Sequence, residues 1–539
     1  MDRKLHQAAQ LHLQSETGAV RKDPSGRLRI CLCYPNTYYL GMSNLGYQGV
    51  YWLLNQQPWA ACDRAFLPER SQLARYQATR TPLIGLETGL SLRDFHVLGF
   101  SLNFELDYAH LPLMLSLSGV PPLASARADP DPLVILGGPA PSYNPEPLAA
   151  FADAVVVGEA EEVIAPLTQI LCAWALEGRL SRASLLAELS RLRGCYVPSR
   201  YAVSYHGDGT VQAVTPQPPA PAHIPRLWPR HLDAWPTCSR LLTPDTEFGR
   251  MFLLELSRGC GRGCRFCVAS YCYRPPRRRS LGLLLDLAAQ GLAQRDTIGL
   301  LAAAVSDYPQ VEQLCAGIVA AGGKVSLASL RADTLTPGLM RSLQASGVRT
   351  LTLAPEAGTD RLRLGMGKDI SDQHYLQAAR LAYQHGVRTL KLYFMVGLPG
   401  ETNEDVDAIA DFVRRLQAQA PFSRLTVAAG ALVPKPGTPF QREAMLAPQA
   451  VRARLAHLRA HLAGTRGVSF AFEGANWSFL QGALARGDRR LAPVIIAAAA
   501  DPARAGAWSR AFAQAGLDPA WYALRPRPQD ELLPWQHVG

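Results

Sequence analysis

The sequence predicts an α/β protein in which an N-terminal doubly wound parallel sheet is followed by a partial (β/α)6 barrel and a small α-rich C-terminal region. Three observations carry that expectation. Short apolar runs recur at strand-plus-helix spacing on both sides of a Pro-rich connector. The runs end in small or turn residues, as strands do where a loop leaves their carboxyl ends. A chain of 539 residues is also too long for one ordinary core, so several folded units are expected.

Residues 1–27 form an N-terminal segment. From Leu28 the run LRICLCYP breaks into the polar loop Asn36 to Gly46 and continues in a helical pattern through Tyr51 and Leu54. HVLGFSL at 96–102, PLVILGGP at 132–139 and DAVVVGEAEE at 153–162 follow, with helical stretches between them, so residues 28–194 read as one doubly wound sheet. Ligands bind such a sheet beyond the carboxyl ends of its strands, where Ser101, Gly137, Gly138, Gly158 and Glu159 should gather. Residues 195–247 hold a hairpin about Gly207-Asp208-Gly209 and the connector PQPPAPAHIPR. Between 248 and 442 six further runs recur, FLLEL, TIGLLAAAV, KVSLASL, TLTLAPEAG, TLKLYFMVGLPG and LTVAAGALVPKP, and six βα units make a barrel. Residues 443–539 start helically and lose clear periodicity. There Asp488, with Trp477 and His537, belongs either to a lid over the barrel mouth or to a salt-bridged turn that packs the C-terminal region.

Composition excludes several classes. No run of about eighteen apolar residues could span a bilayer, and the first thirty residues lack the apolar core of a secretory signal, so a cytoplasmic location is expected. The 11 cysteines are odd in number and thinly spread except for three, which favours metal ligation over a disulfide framework. A formal net charge of +11 fits an anionic substrate such as RNA or a phosphorylated metabolite, or simply an Arg-rich composition.

The three clustered cysteines carry the chemistry. Ser257-Arg-Gly-Cys260-Gly-Arg-Gly-Cys264-Arg-Phe-Cys267 sets three thiolates within eight residues, on a loop leaving the first barrel strand. Gly259, Gly261 and Gly263 let the loop wrap a bulky inorganic cube. Thiolates are the usual ligands of iron–sulfur clusters, and three of them leave one iron of a cubane open for chemistry. A zinc knuckle is the competing reading, and Cys272 is the only nearby fourth ligand for it.

This motif resembles the hallmark of the radical S-adenosylmethionine superfamily, CxxxCxxC with an aromatic residue, here Phe266, before the third cysteine. The resemblance implies a 4Fe-4S cluster on Cys260, Cys264 and Cys267, S-adenosylmethionine chelated to its open iron, and reductive cleavage to a 5′-deoxyadenosyl radical. It implies an electron donor such as flavodoxin or ferredoxin. Carried onto matching positions, it sets Ser306 and Asp307 facing the methionine moiety, Ser329 and Arg331 after the third strand with Arg331 on its carboxylate, and Glu356 on the ribose or amino group. Met395 and Gly397, in MVGLPG, match the strand whose backbone holds adenine; Gly397 also serves simply to end a strand.

The N-terminal half, best in GGPAPS and VVVGEAEE, is similar to the cobalamin-binding-like domain that precedes the barrel in one large class of these enzymes. Cobalamin is therefore a candidate cofactor. The DxHxxG sequence that supplies a histidine to cobalt is absent, and the matching loop reads YPNTYYLGMSN; Tyr38 and Met42 either touch the corrin face or cap the sheet. A finer likeness to an uncharacterised bacterial branch rests on YPNTYYLGMSNLG, LAPEAGTDRLR, VPKPGTPFQ, ARGDRR and LPWQHVG, and that branch implies no particular substrate.

The leading expectation is a cobalamin-linked radical transferase, such as a methyltransferase acting on an unactivated carbon. The alternative enzymes are a radical lyase or cyclase, or an RNA-modifying sulfur-inserting enzyme. Methylthiotransferases need a second three-cysteine cluster, and Cys31, Cys33 and Cys62 do not match its spacing. A different class, a non-catalytic iron–sulfur RNA-binding protein, conflicts with the S-adenosylmethionine positions. Cys238 and Cys272 are spare thiols. Arg274 to Arg279 either meets an anionic substrate or forms salt bridges, and Lys435 either enters the barrel mouth or ends a strand.

Overall fold

Parallel strands buried on both faces need cover on both sides, and that requirement organises the N-terminal half. The computed structural model describes residues 3–327 and 330–539. β1 (Leu28–Tyr34), β2 (Ala60–Phe66), β3 (Val97–Ser101), β4 (Leu133–Gly137), β5 (Ala154–Val156) and β6 (Cys195–Tyr196) form one sheet in the order β2-β1-β3-β4-β5-β6. β1 to β5 are parallel and β6 is antiparallel to β5. The winding reverses between β1 and β3, which leaves a crevice beyond the carboxyl ends of those strands.

Four of these strands match apolar runs in the sequence. β2 does not, because Asp63 and Arg64 stand in its middle. Both are buried: Arg64 meets Glu16 and Glu87, each at 2.6 Å, and Asp63 accepts from the Thr88 amide at 2.9 Å. Arg64 is tolerated because two carboxylates pair with it, and Asp63 because it is hydrogen-bonded. Cys195 and Tyr196, expected in the hairpin, sit at the sheet edge instead; the hairpin is β7 (Tyr201–Tyr205) with β8 (Val211–Pro216).

The two faces of the sheet are covered differently. Ile30, Leu32, Val97 and Ile135 pack under the helices Leu45–Gln56 and Ile164–Ala175. Cys31, Cys33, Leu98 and Val134 pack on the other face, in one core with Leu484, Ile495 and Phe512 of the C-terminal helices. Asp488, Trp477 and His537 lie in this packed region. Asp488 is buried and holds Arg490 at 2.6 Å, and His537 is buried against the Tyr196 and Tyr201 rings. The ARGDRR run is therefore a packing turn, the second of its two readings.

The barrel begins with β9 (Met251–Glu255), followed by the short antiparallel pair β10 (Ser257–Arg258) and β11 (Arg277–Arg278). β12 (Thr297–Leu301) and β13 (Lys324–Leu327) complete one parallel arc in the order β13-β12-β9. β14 (Thr350–Glu356), β15 (Thr389–Val396), β16 (Arg424–Ala431) and β17 (Val468–Phe472) form a second parallel arc. All six expected strands are present. β17 is an addition, half-buried along most of its length, so its apolar residues carry little alternation.

Glu105 ties three regions together. Its buried carboxylate accepts from Tyr143 at 2.5 Å, Gln481 at 3.0 Å and the Lys435 ammonium. Lys435 is thus committed to an ion pair and not to the barrel mouth. Burial alone would raise the Glu105 pKa, but Lys435 and the hydrogen bonds outweigh it and hold the carboxyl below its ordinary range. A depressed folded-state pKa stabilises above the unfolded value and is lost as pH falls through the folded one. Lys435→Met, which strands a buried charge, is expected to cost about 3–5 kcal/mol at neutral pH. That deficit should shrink in denaturant melts as the pH is lowered, beginning above about 4.3, where the unpaired carboxyl takes up a proton in the folded variant.

Candidate active site

The cysteine loop is a closed hairpin. β10 and β11 pair at its base, Ser257 opposite Arg278 and Arg258 opposite Arg277. Gly259 takes φ +82, and a Cβ there would lie 2.1 Å from the Tyr273 carbonyl oxygen, so no other residue fits. The Cys267 amide donates to the Cys264 carbonyl at 3.0 Å, and the Tyr271 hydroxyl holds the Gly263 carbonyl at 2.8 Å. The loop is pinned across the mouth as well. The Arg265 amide donates to the Met366 carbonyl at 2.8 Å, and the Phe440 amide to the Arg265 carbonyl at 3.2 Å. Phe266 packs with Met395, Leu398 and Leu432 at the ends of β15 and β16.

Cys264 is buried, while Cys260 and Cys267 are half-exposed. Burial pushes the Cys264 thiol up, Lys368 and Arg331 pull it down, and both other cysteines act on it, so the three thiols share one electrostatic environment. Three thiols held near one another by one pinned loop are the donor set that an iron–sulfur cube takes up while leaving one iron without a protein ligand.

The ends of β12 to β15 supply the rest of the mouth. Ser306 and Asp307 lie in a turn after β12. The Ser306 hydroxyl accepts from the Arg331 amide at 3.0 Å, and Asp307 accepts two hydrogen bonds from Arg262 at 2.9 and 2.7 Å. Arg331 meets Asp333 at 2.8 Å and Asp307 at 3.6 Å, so its guanidinium is already neutralised by protein carboxylates. Glu356, at φ +68 on the end of β14, pairs with buried Lys368 at 2.9 Å. The Gly397 amide donates to Glu401 at 2.7 Å. Ser329 lies outside the described residues. Arg262, Asp333 and Lys368 are the residues that sequence reasoning missed. Each belongs to a polar loop without periodicity, and only Arg262, inside the cysteine motif, carried a positional signal.

A second feature adjoins the loop. A largely apolar cavity of about 710 Å3 lies at the β1/β3 crevice, and all five expected residues, Ser101, Gly137, Gly138, Gly158 and Glu159, line it. Ser257 to Gly259, Cys272 and Tyr273 form its barrel-side wall, and Trp235 to Cys238 of the connector another part. The five residues are not equivalent. Gly138 and Gly158, both at φ +102, back onto the carbonyls of Leu102 and Leu227, whose oxygens lie 2.5 and 2.3 Å from where a Cβ would stand, so packing alone requires them. Glu159 is committed to Arg258 at 2.6 Å and Arg277 at 2.5 Å. Gly137, by contrast, has open space where a Cβ would point.

Several other expectations meet the structure here. Tyr38 and Met42 are buried but do not line the cavity; Tyr38 holds Glu16 and Met42 receives Arg64, so they cap the sheet. Arg277 and Arg279 are buried in ion pairs with Glu159 and Glu255, the salt-bridged reading of the basic run. Cys238 and Cys272 both line the cavity, and burial pushes the Cys272 thiol up to about 11.

Fold and site together define a two-unit α/β protein with a cluster loop at a barrel mouth and a large crevice cavity against it. Residues 46–198 match the family model described as radical SAM proteins, N-terminal, and residues 254–413 match that of the radical SAM superfamily. The chain belongs to the radical SAM superfamily and is a radical SAM enzyme, so a 4Fe-4S cluster and S-adenosylmethionine are its cofactors. An uncharacterised protein of Methanocaldococcus jannaschii is 29% identical over 470 residues, 86% of this chain and 89% of that one. A tRNA-2-methylthio-N(6)-dimethylallyladenosine synthase of Cereibacter sphaeroides is 28% identical over 223 residues, 39% of this chain and half of that one. The radical S-adenosylmethionine methyltransferase TsrM of Kitasatospora setae, solved with cobalamin and a [4Fe-4S] cluster, superposes with a TM-score of 0.51 at 14% identity over 78% of each chain; this likeness is one of fold. No described helix is long and apolar enough to cross a membrane.

Proposed function

We propose that this radical SAM enzyme is a cobalamin-linked transferase that moves a methyl or other group onto an unactivated carbon. The observation that carries the reading is the position of the 710 Å3 cavity, whose wall includes residues directly preceding Cys260. When bound, the cluster and S-adenosylmethionine supply an electron and a cleavable sulfonium, and a corrinoid supplies a group donor. The chain's own residues set the geometry. Cys260, Cys264 and Cys267 hold the cluster, and Ser306, Asp307, Arg331, Glu356, Met395 and Gly397 line the S-adenosylmethionine side of the mouth. The paired carboxylates around Arg262 and Arg331 keep that side near neutral overall. The Glu159 clamp to Arg258 and Arg277 fixes the loop base against the cavity, which is the proximity a radical transfer needs.

A methylthiotransferase function has no support in the N-terminal half. Cys31 and Cys33 belong to the core on one face of the sheet and Cys62 to the core on the other, so the three thiols cannot converge on a second cluster. The test is anaerobic purification from cells supplied with cobalamin, cluster reconstitution, and measurement of bound corrinoid and 5′-deoxyadenosine after reduction with S-adenosylmethionine. About one corrinoid per chain together with 5′-deoxyadenosine is expected. 5′-Deoxyadenosine without any corrinoid would overturn the transferase reading in favour of a lyase or cyclase.

A further inference from the structure

We propose that Asp407, His457 and His461 form a binding site for a zinc-type divalent ion on the outer layer of the barrel, separate from the cysteine loop. His457 and His461 are one turn apart on the helix Pro448–His461, so their rings stand one above the other on the same face. Their centroids are 4.2 Å apart. Asp407 faces them from the helix Asn403–Gln419. Its Oδ1 lies 2.6 Å from His457 Nε2 and 3.0 Å from His461 Nδ1, and the ligand atoms of all three fall within 4.8 Å of one another.

Two imidazoles and a carboxylate are a donor set that zinc takes up at about 2.0–2.2 Å per ligand, which puts neighbouring ligand atoms roughly 3.3 Å apart. The two observed separations, 2.6 and 3.0 Å, need to widen by roughly 0.7 and 0.3 Å to reach it, an adjustment of under an ångström for each pair. Three protein ligands leave a fourth, water-filled position. The side chains are 37–43% exposed, so an ion has a path in from solvent.

The nearby cations do not compete for the site. Arg454 is paired with Glu401, Arg459 lies over the Phe470 and Phe472 rings, and Arg414 holds Asp411 at 2.8 Å and the His461 carbonyl. The location also gives the ion a structural consequence. Arg454, one turn before His457, grips the Glu401 carboxylate that accepts the Gly397 amide. An ion joining the two helices therefore braces the turn after β15 from outside the barrel.

The experiment is an anaerobic zinc titration, against a chelator of known affinity, of the protein with its cluster in place. Iron content and cluster absorbance are followed to show that the cysteines stay occupied. The parent protein is expected to bind one zinc per chain at micromolar or tighter affinity and to melt at a higher temperature with zinc. His457→Ala and His461→Ala should each bind it at least about 100-fold more weakly, since loss of a direct ligand costs no less than loss of an outer contact. Both variants should melt like the parent without zinc and form 5′-deoxyadenosine at the parent rate. Equal zinc affinity in parent and variants, or saturation of the parent only at millimolar zinc, would overturn the proposal and leave two histidines hydrogen-bonded to a surface carboxylate.

Discussion

Cys264→Ala is expected to lose its cluster iron and, with it, all measurable 5′-deoxyadenosine formation, while Cys272→Ala retains both. The expected loss exceeds the roughly 100-fold that removal of an outer-shell contact typically brings, because a direct ligand of the cluster is removed. Cys264 is the buried member of the three, and a new Cβ–H there leaves Lys368 and Arg331 facing an apolar stub. Cys272 is the decisive control. It is the one nearby thiol that a zinc knuckle would recruit, yet it sits in the cavity wall, where burial pushes its thiol up to about 11. If Cys272→Ala also lost the metal, four thiols would be ligands and the open-iron reading would be wrong. Iron analysis and product detection on the same samples separate these outcomes.

The difference between those two thiols shows what the sequence reveals and what it hides. Spacing along the chain identifies Cys260, Cys264 and Cys267 because the ligands of one cluster lie on one short loop. The barrel strands are legible for a related reason: in β15 the buried Leu390, Leu392, Phe394 and Val396 alternate with half-buried or exposed but mostly apolar residues, which writes the run LKLYFMV. Contacts between distant segments leave no such trace. The connector wall of the cavity, Trp235 to Cys238, is Pro-bounded and aperiodic. The partners of Glu159, Arg258 and Arg277, lie about a hundred residues away. In β2 the strand itself disappears from view because buried Asp63 and Arg64 are offset by Thr88, Glu16 and Glu87, three residues no local pattern connects. Glycines were found as a class but not sorted by purpose: Gly138 and Gly158 answer to neighbouring backbone, and only Gly137 faces open space.

That last distinction gives the sharpest test of the cavity. Gly137→Phe places an aromatic ring in the crevice from the end of β4. The backbone there is an ordinary strand pairing Ser101 with Gly137, with no left-handed φ, and an aromatic residue suits a strand better than glycine by up to about 1 kcal/mol. The variant should therefore fold, and its melting temperature should match or exceed the parent's. A large ligand that fills the crevice meets the new ring, and overpacking costs about 1–3 kcal/mol, a roughly 5- to 150-fold loss of corrinoid affinity. Cleavage of S-adenosylmethionine should persist, because the ring projects from the first sheet and the cysteine loop keeps its own anchors to Met366 and Phe440. Gly138→Ala supplies the contrast: its methyl collides with the Leu102 carbonyl at positive φ, so it should lose stability without blocking the crevice. Equilibrium corrinoid binding by both variants, read beside their melting curves, tells a blocked site from a weakened fold. Undiminished corrinoid binding by Gly137→Phe would move the ligand out of this cavity and remove the observation on which the transferase reading rests.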